Sequence, residues 1–262
     1  EVAEHKMKVN SPEEAELILQ KLPSDMGIHR NPRKGTLNAP ENILENFSTE
    51  REILIDEIFP DEFSLENTHE KIRENTEQLL EYDTPVVSLG GDHSVSFQVI
   101  SALKEKFPDM KLVWLDAHLD LKEKVNGNLS HDVVVRELLN HGFSEDEIFF
   151  VGTTRIDEDE QNFLENHDMK IYRPSELEKF RREFDSGEHP LYLSVDIDVL
   201  ERSEAPGTGY PDGDLNPEEV QEIIELCSPS FADLVEVAPP FDKEDKTLEA
   251  SRKILGELMD RV

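Results

Sequence analysis

The sequence contains a single cysteine, Cys227, among its 262 residues, so the chain cannot form an internal disulfide. Cys227 lies in no metal-ligand spacing and is interpreted as a small apolar residue on a helix. Because a set of thiolates is lacking, a structural zinc site of the cysteine type is excluded. A reducing, cytoplasmic setting is therefore expected.

Basic residues are also scarce. The 27 Lys and Arg residues stand against 60 Asp and Glu, which gives a formal net charge of −33. Nucleic acids and anionic membranes demand a basic surface, so neither is expected as a partner. High charge also accompanies disorder, but the acidic residues here are spread between clean apolar runs, which indicates a folded chain with a solvated acidic coat. Such a coat suggests, as a hypothesis, a salt-rich cytoplasm in which self-repulsion is screened.

No apolar run approaches the roughly 18 residues of a membrane-spanning helix. The acidic amino terminus does not resemble a signal peptide, and residues 1–6 are interpreted as preceding a native start at Met7. The sequence has no internal repeat, low-complexity tract or dividing linker. We therefore expect one catalytic domain over residues 1–262, with an amino-terminal helix and loop over 1–40 and a motif-bearing core over 85–260.

Helical and extended patterns alternate along the chain. A helix is predicted from Ser11 to about Leu22, because Ser11 followed by Pro12 and two acids is typical of a helix start. A loop with several Gly and Pro residues follows as far as Pro40. The remaining elements are strands near 53–59, 85–89, 111–115, 148–152, 170–172, 191–195 and 234–237, and helices near 68–82, 94–107, 133–140, 158–166, 175–185, 217–226 and 247–259. This alternation predicts an α/β fold whose mainly parallel sheet is covered by helices on both faces, with ligands beyond the carboxyl ends of the strands.

One strand end carries three residues of metal-ligand type. Asp116, His118 and Asp120 follow the apolar run at 111–115 at alternate positions. In extended backbone, alternate side chains point the same way, so this strand end can aim two carboxylates and an imidazole at one point.

Two further strand ends repeat the pattern. Asp196 and Asp198 follow the apolar run at 191–195, and His93 follows the run at 85–89. An isolated Asp-x-Asp is more often structural than a metal site, and Gly-Gly-Asp-His alone is an ordinary turn. Three such elements at strand ends of one chain favour a metal site over a purely structural explanation. Two His and four Asp suit Mn²⁺ or another borderline-hard divalent ion. Because six ligands exceed the needs of one catalytic ion, they favour a pair of ions bridged by shared carboxylates and a hydroxide.

These motifs resemble the signature blocks of the ureohydrolase family of arginases and agmatinases. The blocks are Gly-Gly-Asp-His-Ser at 90–94, Asp-Ala-His-Leu-Asp at 116–120, Ser-Val-Asp-Ile-Asp at 194–198 and Glu-Val-Ala-Pro-Pro-Phe-Asp at 236–242. The Ala-Pro-Gly-Thr-Gly segment at 205–209 resembles agmatinases more than arginases. The resemblance implies a three-layer arginase-type α/β/α sandwich, two Mn²⁺ ions per subunit, a small guanidino substrate, and a homo-oligomer, either a trimer or a hexamer.

The resemblance also assigns roles residue by residue. The implied metal ligands are His93, Asp116, His118, Asp120, Asp196 and Asp198. A metal-bridging hydroxide would attack the guanidinium carbon, and Asp120 is the candidate proton donor to the leaving amine. Glu236 would hold the guanidinium by charge-assisted hydrogen bonds. His131 matches the family's histidine that relays protons without binding metal.

Other positions depart from the family pattern. Asp132 stands where agmatinases usually have a small residue, and it is interpreted either as a helix N-cap or as an anion that pairs with the far amine of agmatine. Asn128, in the same loop, is assigned to substrate contact. The segment 210–214 lacks the family's usual Pro-Gly-Gly, and the amino-terminal loop matches only loosely. Both departures bear on the substrate and leave the chemistry untouched.

Two more segments have open interpretations. The loop before Pro40 carries Arg30, Arg33 and Lys34, which either form ion pairs with the acidic coat or a neighbouring subunit, or belong to a flap over the pocket. The segment 153–155 ends a strand and is a candidate for the pocket lining.

The favoured function is the hydrolysis of agmatine to putrescine and urea, a step of polyamine biosynthesis. The alternatives within the family are an arginase, a guanidinobutyrase or a formiminoglutamase. A metal-dependent deacetylase also uses Asp-x-His with a later Asp, but with one zinc ion, whereas this chain has ligands for two ions. A non-enzymatic structural subunit is a further alternative, against which the intact ligand set argues.

Overall fold

The computed structural model describes residues 9–29 and 31–262, and these contain one eight-stranded sheet. All strand pairs are parallel, in the order β2-β1-β3-β8-β7-β4-β5-β6. The strands are β1 (Leu17–Leu22), β2 (Ile53–Glu57), β3 (Val86–Gly90), β4 (Lys111–Leu115), β5 (Ile148–Val151), β6 (Lys170–Tyr172), β7 (Leu191–Asp196) and β8 (Phe231–Val235). Because every strand runs the same way, all the carboxyl ends meet at one edge of the sheet.

The helices cover both faces of this sheet. They are α1 (Ala39–Leu44), α2 (Leu65–Leu79), α3 (Ser94–Lys106), α4 (Val134–Asn140), α5 (Glu158–Leu164), α6 (Leu177–Glu183), α7 (Pro217–Cys227) and α8 (Lys246–Arg261). Helices α1, α6, α7 and α8 pack on one face and α2 to α5 on the other. Strand β4 shows the two faces directly, since Val113 and Leu115 join the first hydrophobic core and Leu112 and Trp114 the second. The predicted α/β/α sandwich is therefore confirmed.

Most predicted elements are present within a few residues of their expected bounds. Strands β4 and β6 have the predicted limits, whereas β8 begins three residues before the predicted strand at 234–237. The short helix α1 was not predicted. Cys227 is buried on α7, as expected for a small apolar residue. Among the described residues, no helix combines the length and the apolar character that crossing a membrane requires.

The predicted helix from Ser11 to Leu22 is wrong. The helix-start signal produces only a 3₁₀ turn at Pro12–Glu14, after which the chain becomes extended at Ala15 and forms β1. The reason is burial, because every residue of β1 is buried between β2 and β3. The two polar side chains of this buried strand have partners, since Gln20 donates to Asn75 and Thr76 and Lys21 forms ion pairs with Glu41 and Glu57. Tertiary pairing thus overrides the local helix signal.

The loop after β1 is fixed against the rest of the protein. Arg33 donates to the carbonyl oxygens of Thr208 and Pro206 at 3.0 and 2.8 Å, and its guanidinium lies 4.5 Å from the centre of the Phe241 ring. Lys34 forms an ion pair with Asp25. Arg33 thus joins this loop to the segment 206–208, which favours a fixed wall over a mobile flap. Arg30 and Met7, for which interpretations were given, lie outside the described residues.

Close contacts with the loop after β1 account for the Gly and Asp residues of the Gly-Gly-Asp-His turn at 90–93. A Cβ atom at Gly91 would lie 1.9 Å from the carbonyl oxygen of Ser24, so only glycine fits where β3 meets the loop. Asp92 is fully buried and accepts hydrogen bonds from the Ser24 hydroxyl and the Gly27 amide. This turn therefore secures the loop before it places His93.

Candidate metal centre and substrate pocket

Three carboxylates converge on one imidazole beyond β3, β4 and β7. Nδ1 of His93 lies 3.2 Å from Oδ2 of Asp116, 3.4 Å from Oδ2 of Asp120 and 3.3 Å from Oδ2 of Asp196. All four side chains are buried. Atoms of His93, Asp116 and Asp120 lie close enough together to share one cation.

A second group lies beside the first and shares Asp116 with it. Nδ1 of His118 is 3.0 Å from Oδ2 of Asp198 and 3.4 Å from Oδ1 of Asp116. Asp116, His118 and Asp198 therefore form another candidate cation site. Because Asp116 belongs to both groups, its carboxylate can bridge two ions. We call the residues of the two groups together with Asp196 the floor of the site: His93, Asp116, His118, Asp120, Asp196 and Asp198.

Backbone amides hold three of the floor carboxylates. Asp116 Oδ1 accepts from the His118 amide at 2.6 Å, and Asp196 Oδ1 accepts from the Asp198 amide at 2.7 Å. Asp198 Oδ1 lies 3.4 Å from the Ala117 amide, which donates to it. In each residue one oxygen is held by the backbone, which leaves the other to face the centre of the site.

The floor has the chemistry of a site for divalent cations. Among the described residues, Nδ1 of His93 and Oδ2 of Asp116 are buried atoms with no hydrogen bond, although they lie 3.2 Å apart. Buried polar atoms are normally satisfied, so two unsatisfied atoms that face each other point to a missing partner. Carboxylate oxygens and imidazole nitrogens without thiolates suit a borderline-hard divalent ion, and the residues therefore fit a metal pair.

The electrostatics of the floor point the same way. Burial, followed by the charges of neighbouring aspartates, raises the pKa values of Asp120 and Asp196 well above the usual range. Burial likewise raises the pKa of Asp198 to about 6, against the opposing effect of His118. Burial alone would also raise the pKa of Asp116, but the nearby imidazoles of His118 and His93 lower it. Without a cation these carboxylates repel one another, and a divalent ion removes that repulsion.

A chain of buried polar groups, absent from the sequence-based predictions, supports His93 from behind. Nε2 of His93 lies 2.8 Å from the hydroxyl of Ser194, which donates to Asp233 at 2.7 Å. Tyr192 donates to the other oxygen of Asp233, and the His93 ring stacks on Trp114 at 3.9 Å. A signal was present in the sequence, because Ser194 and Asp233 are polar residues inside apolar strands, and the β7–β8 register places them opposite each other.

Glu236 and His131 stand next to the floor. Glu236 follows β8 with a left-handed φ of 63°, and its Oε1 accepts from the His93 amide at 2.8 Å. Nδ1 of His131 lies 3.2 Å from the same oxygen, and the His131 amide donates to the carbonyl of Gly27. Burial lowers the pKa of His131, but the contact with Glu236 outweighs it and brings the pKa to about 9. In the metal-free protein the His131 imidazole is therefore protonated at neutral pH.

A cavity of about 570 Å³, including the part open to solvent, lies above the floor. The floor contributes His118, Asp120, Asp196 and Asp198 to its lining, which also includes His131, Glu160 and Glu236. The outer part, which we call the rim, consists of Lys122, Asp132, Arg155, Asp157 and Tyr210. His93 and Asp116 lie below this surface, in the buried part of the floor.

Ion pairs connect the rim residues. Lys122 lies 2.8 Å from Asp157 and 3.8 Å from Asp132. Arg155 lies 2.9 Å from Asp157 and 3.0 Å from Asp212. The rim is thus a belt of paired charges on loops, whereas the floor is set by strand ends. The sequence motifs pointed to the floor and gave little indication of this belt.

The remaining predicted site residues are placed as follows. Asp132 lines the cavity and accepts from the Ser130 hydroxyl at 2.6 Å, and α4 has no side-chain cap, so the N-cap interpretation is wrong. Asn128 is exposed in a turn outside the cavity lining. Within the segment 153–155, Thr153 is buried and Arg155 reaches the cavity.

Comparison with known proteins identifies the family. A profile of the arginase family, whose members depend on binuclear metal centres, matches residues 16–260. An agmatinase from Bacillus cereus is 28% identical, and the alignment covers 94% of this chain and 92% of that protein. An arginase from Staphylococcus aureus is also 28% identical, with 85% of this chain and 82% of that protein covered. The structure of proclavaminate amidino hydrolase from Streptomyces clavuligerus has the same fold, with a TM-score of 0.85, 22% identity and coverage of 97% of this chain and 94% of that one. The chain therefore belongs to the arginase family and is a hydrolase that acts on C–N bonds.

Proposed function

We propose that this protein hydrolyses agmatine to putrescine and urea with two Mn²⁺ ions bound per subunit. The observation that carries the proposal is the shared position of Asp116, which belongs to two histidine-containing ligand groups directly below a cavity. The first ion would be held by His93, Asp116, Asp120 and Asp196, and the second by His118, Asp116 and Asp198. Bound there, such ions supply Lewis acidity, which makes water a nucleophile at neutral pH.

Glu236 orients the guanidinium. Its Oε1 is already held by the His93 amide, while Oε2 remains to accept charge-assisted hydrogen bonds from the substrate. Because Glu236 is fixed between β8 and His93, it can hold the guanidinium carbon at a constant place above the floor.

Asp120 and His131 handle the protons. Asp120 lines the cavity next to the place of the attacking water, so its carboxylate can take up a proton from that water and pass it to the leaving amine. His131 lies beside Glu236 and near Tyr210, whose ring is stacked at 6.1 Å. From this position it can exchange protons between the site and the open part of the cavity.

The rim supports agmatine over guanidino compounds with a carboxylate. Of the described residues that line the cavity, the two with long cationic side chains, Lys122 and Arg155, each already contact carboxylates. A substrate carboxylate would have to compete for these cations. Asp157 pairs with both of them, whereas Asp132 lies 3.8 Å from Lys122, so Asp132 is the carboxylate that can attract the far amine of agmatine. Arginine carries both an amine and a carboxylate, whereas guanidinobutyrate and formiminoglutamate carry a carboxylate and no free amine.

A comparison of four substrates tests the proposal. The Mn²⁺-loaded protein is incubated at high KCl with agmatine, arginine, guanidinobutyrate and formiminoglutamate, with Asp120→Asn as the inactive control. We expect urea from agmatine and at most slow turnover of the others. Formamide from formiminoglutamate, or no product from any compound, would overturn the choice of substrate. A count of one metal per chain would instead favour chemistry of the single-zinc deacetylase type.

Two further parts of the proposal concern organisation. Residues 1–262 are proposed to act as one catalytic unit, and the subunits are proposed to assemble as a trimer or hexamer, as the family resemblance implies. Light scattering after size-exclusion chromatography tests the assembly, and a monomer that turns over agmatine would contradict it.

A further inference from the structure

The imidazole of His118 has one nitrogen directed at the floor and one directed away from it. Nδ1 lies within 3.4 Å of both Asp116 and Asp198, so it is the atom that would bind a cation. A neutral histidine that binds metal through one nitrogen carries its proton on the other, and that N–H requires an acceptor. The remaining nitrogen, Nε2, is buried and makes no hydrogen bond with any residue that the structure describes.

Asp212 supplies a carboxylate opposite that nitrogen. Its Oδ2 lies 3.5 Å from Nε2 of His118, and a movement of about half an ångström would give a normal hydrogen bond. Asp212 belongs to the segment 210–214, which departs from the Pro-Gly-Gly pattern of the family. Tyr210 of the same segment packs edge-on against the His118 ring, with 5.8 Å between ring centres.

Asp212 is itself held in place from two sides. Arg155 donates to Oδ2 at 3.0 Å, and the Thr154 hydroxyl donates to the Asp212 carbonyl at 2.8 Å. The amides of Thr154 and Arg155 both donate to the carbonyl of Ala117, the residue before His118. The segments that carry the histidine and the carboxylate are therefore tied together through a third segment, which fixes their separation.

We propose that Asp212 is a positioning residue for the metal ligand His118. By accepting a hydrogen bond from Nε2–H, it fixes the tautomer and the ring orientation that direct the lone pair of Nδ1 toward the second cation. Arg155 holds this carboxylate and balances its charge, since without a cationic partner Asp212 would be free to turn toward solvent. The inference rests on the metal centre of the proposed function and is independent of which guanidino compound is the substrate.

The experiment is a Mn²⁺ titration of the metal-free full-length protein, followed by the electron paramagnetic resonance signal of free Mn²⁺. Asp212→Ala is expected to lower the affinity for one of the two Mn²⁺ ions by about tenfold to a hundredfold and to leave the affinity for the other unchanged. Asp212→Asn should cause a smaller loss, because its amide oxygen still accepts a hydrogen bond. The matched control is Asp214→Ala, which removes an exposed aspartate two residues away and should bind Mn²⁺ like the original protein.

The pattern of affinities separates positioning from a general structural role. If the substitution loosened the whole site, both Mn²⁺ ions would bind more weakly by the same factor. The affinity of one ion would then not increase in the order Ala, Asn, Asp at position 212. Equal Mn²⁺ binding by Asp212→Ala and Asp214→Ala would overturn the inference. If Asp212→Ala does not fold, as judged by circular dichroism, the comparison of Asp212→Asn with Asp214→Asn decides in the same way.

The result is also distinguishable from a failure of the proposed function. If the unmodified protein binds a single ion, the count of two is wrong, and the effect of Asp212→Ala on that ion still tests the inference. If no guanidino compound is hydrolysed but the selective loss is observed, the substrate proposal fails and the role of Asp212 stands.

Discussion

The floor and the rim of the cavity belong to the same site but are built in different ways. Floor residues follow directly on central strands and are buried, apart from the partly exposed His118. Rim residues lie on loops, have a quarter to a half of their side chains exposed where they form ion pairs, and are held by one another. The sheet register therefore fixes the floor, whereas the rim depends on contacts between loops, one of which, from Arg155 to Asp212, also reaches the metal ligand His118. We therefore expect the chemistry to depend mainly on the floor and the choice of substrate mainly on the rim.

The largest effect is expected from the floor. Asp120→Asn removes a candidate metal ligand and the candidate proton donor together, so turnover should fall by about a thousandfold or more. Urea release and metal content should be measured side by side. Asp109→Asn is the matched control, because Asp109 is an exposed aspartate at the opposite end of β4. If Asp120→Asn retained normal turnover, the separation of floor from rim would be wrong.

His131 lies between floor and rim and tests where the boundary runs. His131→Asn should keep its metal, because His131 is outside both ligand groups, but lose about a hundredfold or more in kcat. His189→Asn, at an exposed histidine, serves as the control. Activity retained at full metal loading would remove His131 from the mechanism and assign it to the rim.

The pairing of His131 with Glu236 should also be visible in the pH dependence of stability. In the metal-free protein the pKa of His131 rises from 6.5 to about 9, so the pair stabilises the fold fully below pH 6.5 and loses this effect as the pH rises through 9. Each pKa unit corresponds to about 1.4 kcal/mol, so the contribution is about 3 kcal/mol. Urea unfolding of the original protein and His131→Asn should differ most at low pH and converge above pH 9. A difference that stayed constant with pH would contradict this account.

A rim substitution should change binding more than chemistry. Asp132→Asn is expected to raise KM for agmatine by about threefold to tenfold with little change in kcat, because a partly exposed charge pair contributes about 1 kcal/mol. Asp146→Asn is a close control, because Asp146 accepts a hydrogen bond from the Ser144 hydroxyl as Asp132 does from that of Ser130. Asp146 precedes the amino end of β5 and does not line the cavity. An unchanged KM would mean that Asp132 does not contact the far amine.

The smallest effect concerns the acidic coat, outside both regions. With a net charge of −33, screening by KCl should relieve self-repulsion and raise the melting temperature by a few degrees between low and molar salt. Differential scanning calorimetry would show this directly. A melting temperature that did not rise would contradict the hypothesis of a salt-adapted coat.

The sequence predicted the floor better than the rim for a physical reason. Apolar runs marked the strand ends, and the parallel sheet brings these ends together at one edge. The expected alternation does not itself continue, because β4 ends at Leu115 and Asp120 has a left-handed φ of 51°. The rim depends on distances between loops, such as that from Arg155 to Asp212, which no local pattern encodes. The predicted substrate contact of Asn128 stays a prediction, because the turn at 125–128 leaves this residue exposed and outside the residues that line the cavity.

The fold shows the same division. Elements with one dominant local pattern, such as β4 and α7, were predicted within one residue of their bounds. The predicted helix over 11–22 failed because a helix-start signal was followed by a segment that the sheet requires as a strand. Burial of β1 on both sides is a property of its neighbours, which the segment itself does not reveal.

The central place of β8 in the sheet affects when the metal site can assemble during synthesis of the chain. Strands β2, β1 and β3 form one half of the sheet and β7, β4, β5 and β6 the other, and β8 is the strand that joins them. His93 belongs to the first half and the aspartates to the second, so we expect the sheet to bring these ligands together only after residues 231–235 have been synthesised. Incomplete chains should therefore take up no metal pair, and catalysis begins only when synthesis is nearly finished.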